Sequence, residues 1–130
     1  MYECVTNNIR VCVQPVFIDE QSSPEDNRFF WAYRVTIANE GRQAVQLVSR
    51  EWHVMDSLGH SIEVRGDGVI GEQPVLGPGE SFEYTSGTPL STPSGMMIGH
   101  YHMISDEGET FPVEIPAFSL DRPHEARIMH

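Results

Sequence analysis

The sequence predicts an all-β domain, an antiparallel β-sandwich of about seven or eight short strands. Val and Ile together number 21, against 10 for Leu and Ala, and β-branched side chains fit a pleated sheet better than a helix. Apolar and polar residues alternate along several segments. The 130 residues also include 11 Gly and 9 Pro, which are typical of turns between strands. At this length we expect residues 1–130 to form a single domain, with a loose polar tail from about Asp121.

The strands are predicted from the alternation of apolar residues, with turn residues between them. In chain order, the strand-like segments cover residues 8–17, 31–38, 44–56, 62–64, 81–85, 96–105 and 111–115. The apolar positions change parity between Leu47 and Trp52, which predicts a β-bulge near residues 49–51. Two stretches rich in Gly, Pro and Ser, residues 66–79 and 86–95, are predicted to be loops and turns.

The formal charge of −11 makes some classes of partner improbable. All eight basic residues are Arg, and they are scattered along the chain. Binding to nucleic acid or to anionic lipid needs a cluster of positive charge, so we expect neither nucleic acid nor membranes as partners.

The sequence does not begin with a signal-peptide pattern, and no apolar run approaches the roughly 18 residues of a membrane span. Cys4 and Cys12, about 26 Å apart in one extended segment, are too distant for a disulfide, and these features together predict a cytoplasmic protein.

Residues 66–71 match the Gly-x-Gly-x-x-Gly spacing of dinucleotide-binding loops. That spacing holds pyrophosphate where a helix follows the glycines, and Pro74 prevents a helix here. Asp67 and Glu72 would also repel phosphate. We therefore interpret residues 66–71 as a loop whose glycines adopt positive φ angles, with a backbone anion-binding nest as a weaker alternative.

His100 and His102 lie two residues apart on a predicted strand, so their side chains project from the same face. The pair can contribute to a metal site, but such sites take three or four ligands, and no third ligand stands at a telling spacing. Two surface histidines are the simpler interpretation, so His100 and His102 stay weak candidates for metal ligands and no cofactor is predicted.

The sequence contains no Gly-x-Ser-x-Gly motif of the kind that carries a catalytic serine. Glu107 and Glu109 flank a glycine in a solvated turn, so no enzyme activity is expected.

Aromatic residues in the strand-like segments are expected to fill the core, with Trp52 buried. Phe29 and Phe30 are consecutive, so one of them must face away from the core if the strand continues. An exposed Phe30 would mark a small apolar contact surface.

Seven short segments spread along the chain together carry a resemblance to a known family. They are Gln21-Ser22-Ser23-Pro24, Ser49-Arg50-Glu51-Trp52, Gly66–Pro74, Leu76–Glu80, Tyr84–Gly87, Thr92–Gly95 and the alternating Gly99, Tyr101 and Met103. Together these segments, within the range from about Val11 to Leu120, resemble the signature of the bacterial ApaG family. Two positions depart from it, Glu51, where the family often has His, and Asp67, where it often has Glu.

The resemblance implies an immunoglobulin-like or fibronectin type III-like sandwich. Domains similar to this family occur in some F-box proteins and in a DNA polymerase delta-interacting protein, where they look like protein-binding modules. The bacterial members are linked to cobalt and magnesium tolerance.

The predicted function is therefore a non-catalytic protein-interaction module, a monomer or weak homodimer, that binds a protein partner through loops or a sheet edge. The predicted binding surface consists of Gly66, Asp67, Gly68, Gly71, Glu72 and Phe30. The alternative function is binding of a divalent metal or a small anion, with His100, His102 and nearby carboxylates as the metal ligands.

Overall fold

The computed structural model describes residues 1–122. Most of the tail that we predicted to be loose lies outside the described residues, while Asp121 itself ends the last strand. Within residues 1–122 no helix has the length and apolar character needed to cross a membrane.

Nine strands and two short 3-10 helices make up the described part of the chain. The strands are β1 (Tyr2–Thr6), β2 (Ile9–Phe17), β3 (Phe29–Asn39), β4 (Val45–Asp56), β5 (Ser61–Asp67), β6 (Val75–Leu76), β7 (Ser81–Leu90), β8 (Ser94–Ser105) and β9 (Thr110–Asp121). The 3-10 helices, Asp19–Gln21 and Pro24–Asp26, lie between β2 and β3.

The strands form two antiparallel sheets. One has the order β1-β2-β3-β7, and the other has the order β5-β4-β8-β9, with β6 paired to the start of β4. The prediction of an all-β antiparallel sandwich is confirmed. The described strands outnumber the predicted seven or eight because β1 and the two-residue β6 are also paired. The expected separation of about 26 Å between Cys4 and Cys12 is wrong, because β1 and β2 are paired strands in which Cys4 lies opposite Val11 and Glu3 lies opposite Cys12. The finer assignment to fibronectin type III or immunoglobulin topology stays a prediction.

The core lies between the two sheets, where every second residue of most strands is buried. In β3 the odd-numbered residues from Phe29 to Asn39 are buried, as the alternation of a two-residue period requires. Trp52 of β4 is 3% exposed, and its ring lies 5.5 Å from that of Tyr33 and 5.9 Å from that of Phe118. The predicted burial of Trp52 is confirmed.

The β-bulge predicted in β4 is also present, one residue before the predicted range. The pairing of β4 with β8 shifts register between Leu47 and Ser49. The Val48 carbonyl oxygen at this shift accepts hydrogen bonds from the Gly68 N–H and from Gln73 Nε2, each at 2.8 Å. The bulge therefore forms hydrogen bonds with the segment that links β5 to β6.

The two predicted loops are shorter in the structure than in the sequence prediction. Gly66 and Asp67 belong to β5, and β7 continues as far as Leu90. Residue 87 pairs with Ala32 of neighbouring β3, and it is a glycine because the Phe30 ring lies where a Cβ would stand. The glycines of these stretches therefore occur where strands pack closely as well as in turns.

One lateral side of the sandwich is closed and the other is open. At the closed side the Thr6 hydroxyl of β1 accepts a hydrogen bond from the Glu114 N–H of β9, at 3.2 Å. At the open side β5 pairs only with β4 among the described strands. Ile62 and Val64 face inward on β5 but are 63% and 40% exposed, so among residues 1–122 no strand of the other sheet covers them.

Candidate functional site

The tip of the predicted binding loop is a tight turn, residues 69–72. The Val69 N–H donates to the Glu72 carbonyl at 2.8 Å, and the Glu72 N–H donates back to the Val69 carbonyl at 2.9 Å. The two central residues, Ile70 and Gly71, have φ angles of +43° and +81°, as in type I′ turns. This conformation is unusual for a β-branched residue, and the Ile70 side chain is 55% exposed. An exposed isoleucine therefore projects from a rigid turn.

The other two glycines of the Gly-x-Gly-x-x-Gly segment lie in close contact with the rest of the chain. Gly68 is buried at a φ of +60°, and a Cβ there would overlap the Glu72 carbonyl oxygen. Gly66 lies under the Arg50 guanidinium group, which would be 3.0–3.1 Å from a Cβ. Arg50 Nη1 donates to the carbonyl oxygens of Asp67 at 3.1 Å and Gly68 at 2.7 Å. The segment is thus shaped by contacts within the chain.

No dinucleotide-binding arrangement follows the glycines. The next element is the two-residue strand β6, so no helix N-terminus faces the loop within the described residues. The N–H groups of Gly68, Val69 and Glu72 already donate to carbonyl groups, which leaves little of the loop backbone for an anion. That the loop does not bind nucleotides stays a prediction.

The predicted binding surface is divided by the structure. The side chains of Asp67 and Glu72 are exposed, beside the Val48 bulge near the start of β4. Phe30 pairs with Pro89, which lines a hollow together with Asp56 at the other end of β4. The stretch of β4 between Val48 and Asp56 is roughly 26 Å long. Phe30 therefore lies at the opposite end of the sandwich from the loop, and a role for either of them in binding stays a prediction.

A second group of polar side chains lies on the outer face of β4, β5 and β8. Glu51 of β4 pairs with His100 of β8 on one side and with Arg65 of β5 on the other. His100 and His102 share this face, and their Nε2 atoms are 3.2 Å apart. Glu51 Oε1 lies 4.0 Å from His100 Nε2. One ligand atom from each of Glu51, His100 and His102 lies within 4.8 Å of the others. We call this set the outer-face cluster.

His53 extends the outer-face cluster along β4. Its Nε2 atom lies 3.1 Å from Glu51 Oε2 and 3.6 Å from Glu63 Oε2. Arg65 is bonded to both carboxylates, with Nε 3.3 Å from Glu51 Oε1 and Nη2 2.9 Å from Glu63 Oε1. The hydrogen bond from His53 is the main cause that lowers the pKa of Glu51 below its ordinary value, and Arg65 adds to the effect. Glu51 is therefore ionised at neutral pH.

Comparison with known proteins identifies the family. The family model of the ApaG domain matches residues 19–105. The chain belongs to the ApaG family. It is 61% identical over 124 residues to Protein ApaG of Rhodospirillum centenum, covering 95% of each chain. It is 54% identical to Protein ApaG of Parvibaculum lavamentivorans over 130 residues, which is 100% of each chain. The resemblance seen in the sequence is confirmed.

Solved structures share the arrangement of strands seen in this ApaG chain. A crystal structure described as the ApaA protein from Bordetella pertussis matches with a TM-score of 0.86 at 44% sequence identity. The match covers 94% of this chain and 96% of that chain. This member of the ApaG family and a relative of known structure therefore share the same sandwich fold.

Sequence reasoning did not name several side chains that the structure places in these sites, among them Arg65 and Glu63. Arg50 shapes the glycine segment, and Glu51 and His53 complete the surroundings of the two histidines. The sequence carried one usable signal, because Glu51 and His53 stand two residues apart on a predicted strand, as His100 and His102 do. What it could not supply is the adjacency of those two strands.

Proposed function

We propose that this member of the ApaG family is a non-catalytic module that binds a protein partner through the open edge at β5. The observation that supports it is the exposure of Ile62 and Val64. Their cross-strand partners on β4, Val54 and Trp52, are buried in the core, so the apolar inner face of the sheet continues onto β5, where the described part of the chain leaves it exposed. An apolar strip beside a free strand edge is typical of surfaces that receive another chain.

The backbone of β5 also has hydrogen-bonding capacity to offer. The Gly68 N–H donates to Val48, and the Asp56 N–H donates to His60, so even-numbered residues of this ladder form the bonds to β4. The N–H groups of Glu63 and Arg65 consequently face away from β4. An extended segment of a partner can pair with them as an additional strand, with its side chains beside Ile62 and Val64.

The partner segment is expected to be basic. The net charge of the chain is −11, and the exposed carboxylates of Asp67 and Glu72 lie at the end of β5, next to the exposed Ile70. Opposite charge accelerates encounter and makes association weaken as salt rises. The proposed surface therefore combines the β5 edge with the acidic turn, and it does not include Phe30.

The test compares two substitutions at one position. Partners captured from a native cell extract are purified, and their affinities are measured for the original chain, Arg65→Pro and Arg65→Ala. Arg65→Pro removes an outward N–H without removing a bond to β4, so it should abolish strand addition, while Arg65→Ala, the matched control, should retain binding. A partner that binds all three equally, or turnover of a substrate by the purified chain, would contradict the proposal.

A second pair of substitutions tests the acidic turn. Charge reversal by Asp67→Arg together with Glu72→Arg should weaken binding by about tenfold or more at low salt. The difference should shrink as salt increases, and the melting curve should change little because both side chains are exposed. Equal binding by both proteins at low salt would remove the turn from the surface.

A cytoplasmic location and a monomeric or weakly dimeric state belong to the same proposal. Cys4 and Cys12 are both free thiols, which suits a reducing compartment. Of the alternative functions, small-anion binding is opposed by Asp67 and Glu72 and by the internal bonding of the loop N–H groups. Binding of a divalent metal depends on the outer-face cluster, which lies on the other face of the sheet.

A further inference from the structure

We propose that the outer-face cluster binds one divalent transition-metal ion, of which Zn²⁺ is the representative, through Glu51, His100 and His102. The proposal goes beyond the protein-interaction module, because it uses neither the inner face of β5 nor its free edge. It rests on the distances between side-chain atoms and on the pairing of β4 with β8.

The two imidazole nitrogens already stand at the separation that a shared metal ion requires. Zn–N bonds of about 2.0–2.1 Å in a tetrahedral site place two nitrogen ligands about 3.3 Å apart. The His100 and His102 Nε2 atoms are 3.2 Å apart, with the two rings nearly perpendicular at 83°. Without a metal, the same distance allows one ring to donate a hydrogen bond to the other, so metal binding replaces one N–H···N bond.

Glu51 supplies the third ligand. Its carboxylate is the cross-strand neighbour of His100, with Oε1 4.0 Å from the His100 Nε2 atom. Oε1 must approach His100 Nε2 by roughly 0.7 Å to reach the ligand separation of about 3.3 Å that a tetrahedral site requires. Two histidines and one glutamate form a known zinc ligand set that leaves a fourth position open, and Glu114, opposite His100 on β9, adds a further carboxylate near the rim.

His53 acts as a positioning residue. Its Nε2 atom lies 3.1 Å from Oε2 of Glu51, so it holds that oxygen and leaves Oε1 to Arg65 and His100. Partners of this kind fix the orientation of a ligating side chain, and their loss commonly weakens metal binding 10–100-fold. His53 therefore affects the metal through Glu51 and need not touch it.

Arg65 competes with the metal for the same oxygen. Its Nε atom lies 3.3 Å from Glu51 Oε1, so an ion must displace this contact. The displacement is feasible because the Arg65 side chain is 66% exposed and keeps a second bond, to Glu63 at 2.9 Å. Removal of the arginine should consequently tighten metal binding, which is the opposite of the effect expected for a residue that merely stabilises the strand.

The donor set predicts which metals bind. Imidazole nitrogen suits Zn²⁺, Ni²⁺ and Cu²⁺, whereas Mg²⁺ prefers oxygen ligands and retains its water. The outer-face cluster should therefore select first-row transition metals, and millimolar Mg²⁺ should not compete.

The experiment titrates Zn²⁺ into the full chain, freed of metal by chelation, and follows binding by calorimetry and by the rise in melting temperature that a ligand of the folded state causes. We expect one equivalent to bind. The substitutions His100→Ala, His102→Ala and Glu51→Gln should each weaken binding at least tenfold, His53→Ala about tenfold, and Arg65→Ala should strengthen it. His60→Ala, which removes an exposed histidine outside the cluster, should change nothing.

The proposal is overturned if the double variant His100→Ala/His102→Ala binds Zn²⁺ as the original chain does, or if His60→Ala weakens binding as much as His102→Ala. Weaker binding by Arg65→Ala would overturn the competition argument. His102 is exposed, so its replacement should leave the fold intact, and circular dichroism checks each variant. Loss of Zn²⁺ binding with partner binding unchanged would separate this proposal from the β5 interaction surface.

Discussion

The hydroxyl groups of Tyr84 and Tyr101 lie 2.5 Å apart and join the two sheets through the core. Tyr84 belongs to β7 of the four-stranded sheet and Tyr101 to β8 of the five-stranded sheet. Both side chains are buried, so each hydroxyl depends on the other to replace the water that it loses on folding.

Removal of one of these hydroxyl groups should destabilise the fold. Tyr84→Phe leaves the buried Tyr101 hydroxyl without its bond to residue 84, at a cost of about 1–3 kcal/mol. The double variant Tyr84→Phe/Tyr101→Phe should lose less than the sum of the two single variants, because it leaves no orphaned hydroxyl. Urea unfolding of the four proteins measures this cycle, and single variants as stable as the original chain would contradict it.

Alkaline pH should lower the stability of the protein through these two tyrosines and Tyr33. Burial raises the pKa of Tyr84, of Tyr101 and of Tyr33 above the ordinary value. Below about pH 10 these groups are neutral in both states, so their contribution is fully present. Above about pH 10 the unfolded chain releases protons that the folded chain retains, and the free energy of unfolding falls.

Urea unfolding between pH 8 and 11 checks this expectation. The chain contains no Lys, which leaves tyrosine and cysteine as the side chains that titrate in this range. A Cys12→Ser background removes a thiol whose pKa burial also raises. In that background the Tyr84→Phe/Tyr101→Phe variant should lose less stability with pH, and an equal loss would show that these two tyrosines are not responsible.

Replacement of Trp52 by Ala should cost about 3–5 kcal/mol, as large-to-small changes in a core do. Its ring lies against Tyr33 and Phe118, and the backbone of Gly99 on β8 passes close to it. Trp52→Phe is the matched control, which keeps an aromatic ring and should lose less. Chemical denaturation followed by circular dichroism measures both, and a Trp52→Ala protein of unchanged stability would contradict the described core.

Two glycines of the turn should respond differently to the same substitution. Gly71→Ala has space for the methyl group but a φ of +81°, so it should cost about 1–2 kcal/mol. Gly68→Ala meets the Glu72 carbonyl oxygen as well, so it should cost more and should accelerate hydrogen exchange at the Val69 and Glu72 N–H groups. Equal effects of the two substitutions would mean that the buried position of Gly68 is not required.

The local pattern of the sequence was sufficient to predict the class of fold and the face of the sheet from which each side chain projects. A period of two residues reports which face each residue occupies, so it predicted the burial of Trp52 and the common face of His100 and His102. The change of parity between Leu47 and Trp52 likewise predicted a bulge, because an extra residue shifts every later side chain to the opposite face.

The tertiary structure alone decided which strands are neighbours. Glu51 meets His100 because β4 pairs with β8, and Arg50 reaches Gly66 because β4 pairs with β5. Phe30 is remote from the glycine turn because it lies beside Pro89 at the end of the sandwich near Asp56, whereas the turn is held near Val48. Strand order and register follow from hydrogen bonds and packing between residues far apart in the chain, and alternation within one strand carries no information about them.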